Sequence, residues 1–131
     1  DEDAILNELL YIKERINKSS SILTDKTKTA FFFVITAEQM IITDTLKAAE
    51  LFAKFEVPLS GYVVNRVLSD TLKQQDIPEY LKNRLVMQEK YLKVIDETFK
   101  DQILAYVPEM DRDVTGLEMI EKLANRMFGD M

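Results

Sequence analysis

The stretch TAFFFVITAEQM, Thr29–Met40, decides how the rest of the chain is read. From Ala30 to Thr36 it is apolar almost throughout, and it then gives way at once to a helical pattern. The run is too short to cross a membrane. It lacks the polar alternation of a strand with one wet face, so it predicts a strand covered on both sides, the habit of parallel sheets. Sheets of that kind hold their ligands beyond the C-terminal ends of their strands. What lies past Thr36, and past the matching ends of any other strands, is therefore the functional question.

Toward the N-terminus, Leu6, Leu9, Leu10, Ile12 and Ile16 place an apolar stripe on a helix from Asp3 to Leu23, and TDKTKT closes this leading unit, 1–29, as a polar loop. Toward the C-terminus, Thr36 and Gln39 have capping-box spacing and open a helix that runs to Phe55. EVPLSG reads as a turn and GYVVN as a second short strand ending at Asn65. A polar loop, Arg66 to Asp76, leads to a long helix, Ile77 to Phe99, with Leu81, Leu85, Met87, Leu92, Ile95 and Phe99 as its apolar stripe. Ile103 to Val107 form a third buried strand, and Thr115 with Glu118 opens the last helix.

The order is a helix and then three strand–helix units, 30–131. It predicts an α/β fold, with a three-stranded parallel sheet, right-handed crossovers and flanking helices. No linker or repeat divides the chain, so 1–131 reads as a single unit. Three strands make a thin sheet for a doubly wound domain, so the pattern reads as the C-terminal half of one, with the other half expected before Asp1.

Composition narrows the function. With 131 residues and 47% hydrophobic content, the chain has enough apolar matter for a core. A net charge of −6 argues against nucleic acid or an anionic membrane surface as partner. The absence of cysteine and histidine excludes disulfides, thiolate chemistry, His/Cys zinc sites and His-dependent triads. No signal peptide is evident and no apolar run approaches ~18 residues, so a soluble, cytoplasmic protein is expected. Glycine occurs only at 61, 116 and 129, which leaves no phosphate-cradling G-x-x-x-x-G-K-[ST] loop. No catalytic or metal-binding residue is assigned.

Right-handed crossovers place the predicted strand ends, Thr36, Asn65 and Pro108, on one rim. None is acidic, which argues against a phospho-acceptor domain. Thr36 reads as a helix cap. The carboxamide of Asn65 matches the donor and acceptor edge of adenine, and it equally suits a residue that turns the chain out of a strand. Pro108 opens PEMDRDVTG, which reads either as an ordinary connection or as a loop folded over a flat ring. Asp111 and Asp113 read as solvated loop residues that favour the start of the last helix. The stripe of the long helix reads as core. A non-catalytic interaction module docking through helix 77–99 is the alternative function.

The run TAFFFVITAEQMIITDTLKAAELFAKFEVPLSGYVVNRV, and then RLVMQEKYLKVIDETFKDQILAYVPEMDRDVTGLEMIEKLANRMFG, resembles the C-terminal part of the anion-transporting ATPase family. That family includes the arsenical pump-driving ATPase and the tail-anchored-protein-targeting ATPase. The passage through Glu38, the VVNRV strand, the Q-x-x-YL of Gln88–Leu92 and the VP…DVTG…L close carry the likeness. The resemblance implies a deviant-Walker P-loop ATPase using ATP with Mg²⁺, whose phosphate loop and catalytic groups lie in an N-terminal half. This part is implied to supply the adenine side. Asn65 would read the base with Arg66 beside it, and Pro108, Glu109, Met110, Asp111 and Val114 would line the facing loop. The chain alone is then expected to be inactive. The implied partners are the N-terminal half, a second copy in a dimer, and a membrane transporter or membrane-protein client.

Three departures stand out. Arg66 replaces the glutamine usual in the targeting enzymes, and PEMDRD is more acidic than the family's apolar opening. The segment LSDTLKQQDIPEYLKNR lacks the C-x-x-C that clasps zinc across a dimer, so no zinc is expected.

Overall fold

The apolar runs become strands and the periodic segments become helices in a computed structural model, which describes residues 2–129. The elements are α1 (Glu2–Leu23), β1 (Phe31–Ile35), α2 (Gln39–Lys54), β2 (Leu59–Val67), α3 (Glu79–Phe99), β3 (Ile103–Pro108) and α4 (Gly116–Phe128). Short 3-10 turns occupy Asp70–Gln74 and Lys100–Gln102. The sheet is parallel, as the strand–helix alternation predicts, and its order is β1-β2-β3. Among the described residues no helix is long and apolar enough to cross a membrane.

One face of the sheet carries the main core. Ile35, Tyr62 and Val64 are buried against Ile42 of α2 and against Ile95 and Phe99 of α3. Phe52 of α2 meets Phe31 and Phe33 edge-on, with ring centroids 5.3 and 4.9 Å away. Such edge-to-face pairs add to what area burial alone supplies. Gly61 is required by a close approach, since a Cβ there would lie 2.7 Å from the Gln102 carbonyl oxygen.

The other face departs from expectation. Strand alternation turns Phe32 and Val34 away from the core, and they remain 45% and 65% exposed. The run Ala30–Thr36 is therefore covered on one side, not two. The cause is the thinness of the sheet: α4 packs along β3, where Ala105 and Val107 are buried, and β1 lies two strands away. The leading helix does not make up the difference. α1 buries none of its residues, and Leu6, Leu9, Leu10, Ile12 and Ile16 of its stripe are exposed.

The outer edge of β1 has no strand neighbour among the described residues. An apolar strand with free N–H and C=O groups is a template for pairing. The 131-residue chain is expected to self-associate as its concentration rises, as read by sedimentation velocity. A strict monomer with slow amide exchange across Phe31–Ile35 would show the edge to be covered.

Boundaries shift where local patterns mislead. The cap of α2 is Glu38, not Thr36, and Glu38 makes no side-chain cap bond. The Glu38 N–H donates to the Thr36 carbonyl (2.8 Å), so the chain turns once more before the helix begins, and the Thr36 hydroxyl donates to the Glu38 carboxylate instead. Thr115 is the cap of α4 as predicted, but its hydroxyl makes no cap bond. α3 begins at Glu79, with Pro78 as its cap.

Candidate functional site

Parallel pairing brings the C-terminal ends of the three strands to one rim, with Ile35 opposite Val64 and Val67 opposite Pro108. β2 does not stop at Asn65. It continues to Val67, with a register shift between Val64 and Val67 against β3. Arg66 sits within that irregularity at φ 59, a left-handed conformation uncommon for a long side chain. Bulges of this sort re-aim side chains beside functional sites. Here the Arg66 N–H donates to Asn65 Oδ1 at 2.9 Å, which fixes one end of the carboxamide. The amino group supplies two further donors.

The side chain of Arg66 reaches across to the next strand exit. Its Nε donates to Glu109 Oε2 at 3.0 Å and its Nη2 to Glu109 Oε1 at 3.3 Å. The Glu109 N–H donates to the Val67 carbonyl at 2.8 Å, which prolongs the pairing beyond β3. The hydrogen bond and charge of Glu109 push the Arg66 guanidinium above its ordinary pKa, and Glu38 at the β1 exit acts in the same sense. Arg66 thus carries the electrostatic link among all three strand exits. Two of the departures from the family pattern, the arginine after the asparagine and the acidic residue after the proline, are partners in one ion pair.

The next residue is held from α3. The Leu68 N–H donates to Gln88 Oε1 at 2.7 Å, and Gln88 Nε2 donates to the Leu68 carbonyl at 3.0 Å. One carboxamide satisfies both backbone groups, as a neighbouring strand would. Sequence reasoning quoted Gln88 only as part of a motif. Its signal was nevertheless present: it occupies the heptad-spaced place between Leu85 and Leu92, where the stripe would otherwise be apolar. Met87, read as core, is 51% exposed and lines the adjoining cleft.

That cleft, about 720 Å³, lies between the start of α2 and the N-terminal half of α3. Its walls include Glu38, Arg66, Arg84, Met87, Tyr91 and Glu109. The volume suits a small molecule. Of the residues expected at the site, Arg66 and Glu109 line the cleft, while Asn65 and Pro108 share the rim beside it. Met110 turns toward α4, its sulfur accepting from Arg126 Nη1 at 3.3 Å. Asp111 is exposed and Val114 half-buried. Among the described residues no cluster of three acidic, His or Cys side chains is placed to hold a metal ion. The groups on the rim are suited to recognising a ligand by hydrogen bonds and charge.

The family profile described as anion-transporting ATPase matches residues 1–129. Putative arsenical pump-driving ATPase 1 of Aquifex aeolicus is 32% identical over 117 residues, covering 89% of this chain and 30% of that protein. ATPase GET3A of Arabidopsis thaliana is 28% identical over 128 residues, covering 97% of this chain and 35% of that protein. ATPase get3 of Aspergillus niger is 27% identical over 125 residues, 95% of this chain and 36% of that protein. The chain spans about a third of the length of these curated relatives. It belongs to the anion-transporting ATPase family.

Proposed function

We propose that this chain forms the adenine side of the nucleotide site of a deviant-Walker ATPase, acting as the C-terminal half of a doubly wound P-loop fold. The observation that carries the reading is the Asn65–Arg66 bulge, on the same strand-end rim as Pro108 and Glu109. Asn65 presents its carboxamide to the base, Arg66 and Glu109 close the side, and the loop through Met110, Asp111 and Val114 faces it. ATP with Mg²⁺ is the cofactor of the intact enzyme. As the resemblance implies, the metal and the phosphates are held there by the N-terminal half of the intact enzyme.

In the full-length protein, hydrolysis in a cytoplasmic dimer drives anion extrusion through a membrane transporter or delivery of membrane-protein clients. Docking through helix 77–99 is the second reading: Tyr80, Val86 and Met87 are exposed there. The same helix commits Leu85, Ile95 and Phe99 to the core, Asp96 accepts from the Tyr106 hydroxyl of β3, and Glu89 pairs with Lys73, which leaves less of it free to dock.

The purified chain alone is expected to show no ATP turnover above background, because electrostatic stabilisation of the phosphates is the larger part of such catalysis. Phosphate release by the chain, after contaminating ATPases have been excluded, would falsify the assignment to one side of a shared site.

A further inference from the structure

We propose that Gln88 is a positioning residue for base recognition: from α3 it braces the bulge that aims Asn65. The inference rests on the reading of Asn65 as the base contact. Residues 65–68 are each tied down, Arg66 and Val67 both by Glu109. Asn65 Oδ1 accepts from the Arg66 N–H, Arg66 pairs with Glu109, the Val67 carbonyl accepts from the Glu109 N–H, and Leu68 is held at both backbone groups by Gln88.

These ties are unequal. The Arg66–Glu109 pair is solvent-facing, with the Arg66 side chain 66% exposed, and exposed ion pairs hold little. The Gln88 bonds are part-buried. They begin where ladder pairing ends, since Val67 opposite Pro108 is the last β2–β3 pair. Removing the Gln88 carboxamide leaves an N–H and a C=O without partners in a part-buried setting, so the segment must move to find them. The cheapest movement is for the left-handed residue to relax into ordinary extended strand. Val64 stays anchored by its pairing with Ile35, but the peptide whose N–H holds Asn65 Oδ1 is no longer braced, and the carboxamide loses its fixed aim at the rim. Gln88 also lines the cleft, but its Oε1 and Nε2 both engage Leu68, and the role assigned to it runs through Leu68.

The test uses the full-length ATPase. Gln88→Leu, close in volume and unable to hydrogen-bond, is expected to raise the KM for ATP about 5- to 10-fold, the effect of losing one or two ordinary hydrogen bonds. Its kcat should stay within about twofold, because no group at the phosphates changes. The preference for ATP over GTP should narrow in step. Gln88→Glu keeps the acceptor for the Leu68 N–H and loses the donor, so its preference should fall between wild type and Gln88→Leu. That milder variant carries the test if Gln88→Leu does not fold. Amide exchange at Leu68 should quicken in both.

A Gln88→Leu enzyme with unchanged ATP-over-GTP preference, beside an Asn65→Ala enzyme that has lost it, overturns the bracing role and leaves the base contact standing. Loss of kcat at constant KM also overturns it. If Asn65→Ala itself leaves the preference intact, the base contact fails and the inference falls with it.

Discussion

Ile95→Ala is expected to destabilise the chain by about 2–5 kcal/mol, the range for emptying a fully buried Ile site. Ile95 is 0% exposed and lies against the sheet residues Tyr62 and Val64, with Phe99 one turn further along α3. The second face of the sheet is partly bare, so this cluster carries most of the burial that seats α3. Domains of this size hold roughly 5–15 kcal/mol in total, so the loss is a large fraction. Urea titration of both proteins measures it. Val86→Ala on the same helix, at a position 67% exposed, is the control and should stay within about 0.5 kcal/mol. A shift at Ile95 no larger than at Val86 means that α3 does not pack where it is placed.

In the full-length ATPase, Asn65→Ala should lose about 1–3 kcal/mol of ATP binding, the worth of a paired base contact. That corresponds to roughly 5- to 150-fold in Kd. GTP should lose less, so the preference narrows. Alanine also removes the acceptor for the Arg66 N–H, so the bulge itself is disturbed. Asn65→Asp separates the two effects. It keeps that acceptor and removes the amino donors, and it should still weaken ATP relative to GTP. Direct titration of both nucleotides decides. Equal affinities in all three proteins reduce Asn65 to a residue that shapes the end of β2.

The strands and their parallel arrangement were legible because apolar runs alternate with helical periods. Asn65 and Pro108 could be placed on a common rim for the same reason. What escaped notice depended on partners far away in sequence. β2 runs two residues past Asn65 because Glu109, 43 positions from Arg66, meets it there, and no local pattern reports that. The cover of β1 depends on where α4 lands, and the letters FFFVI do not contain that. The amphipathic pattern of α1 was readable, but a pattern says what a helix can bury and not that it finds something to bury it against. The Thr36–Gln39 spacing satisfied the capping rule, yet a tight turn from Thr36 to Glu38 moved the cap by two residues. Gln88 was the missed clue, a polar letter in an apolar register.

The central place of β2 has a consequence for how the fold is assembled. Its two neighbours lie roughly 30 and 40 residues away along the chain, one on each side in sequence, so every ladder bond it makes is non-local and slow to close. On a ribosome adding about 5–20 residues each second, β2 emerges with β1 already made and then waits about 2–8 seconds for β3. During that interval its second edge has no native partner, and Val64 has only the earlier-made Ile35 and Ile42 beside it until α3 follows. Helix α3 is synthesised in the gap, and its Gln88 can hold Leu68 before β3 exists. The same side chain that props the finished rim is therefore available as an early fastener for the strand that must wait longest.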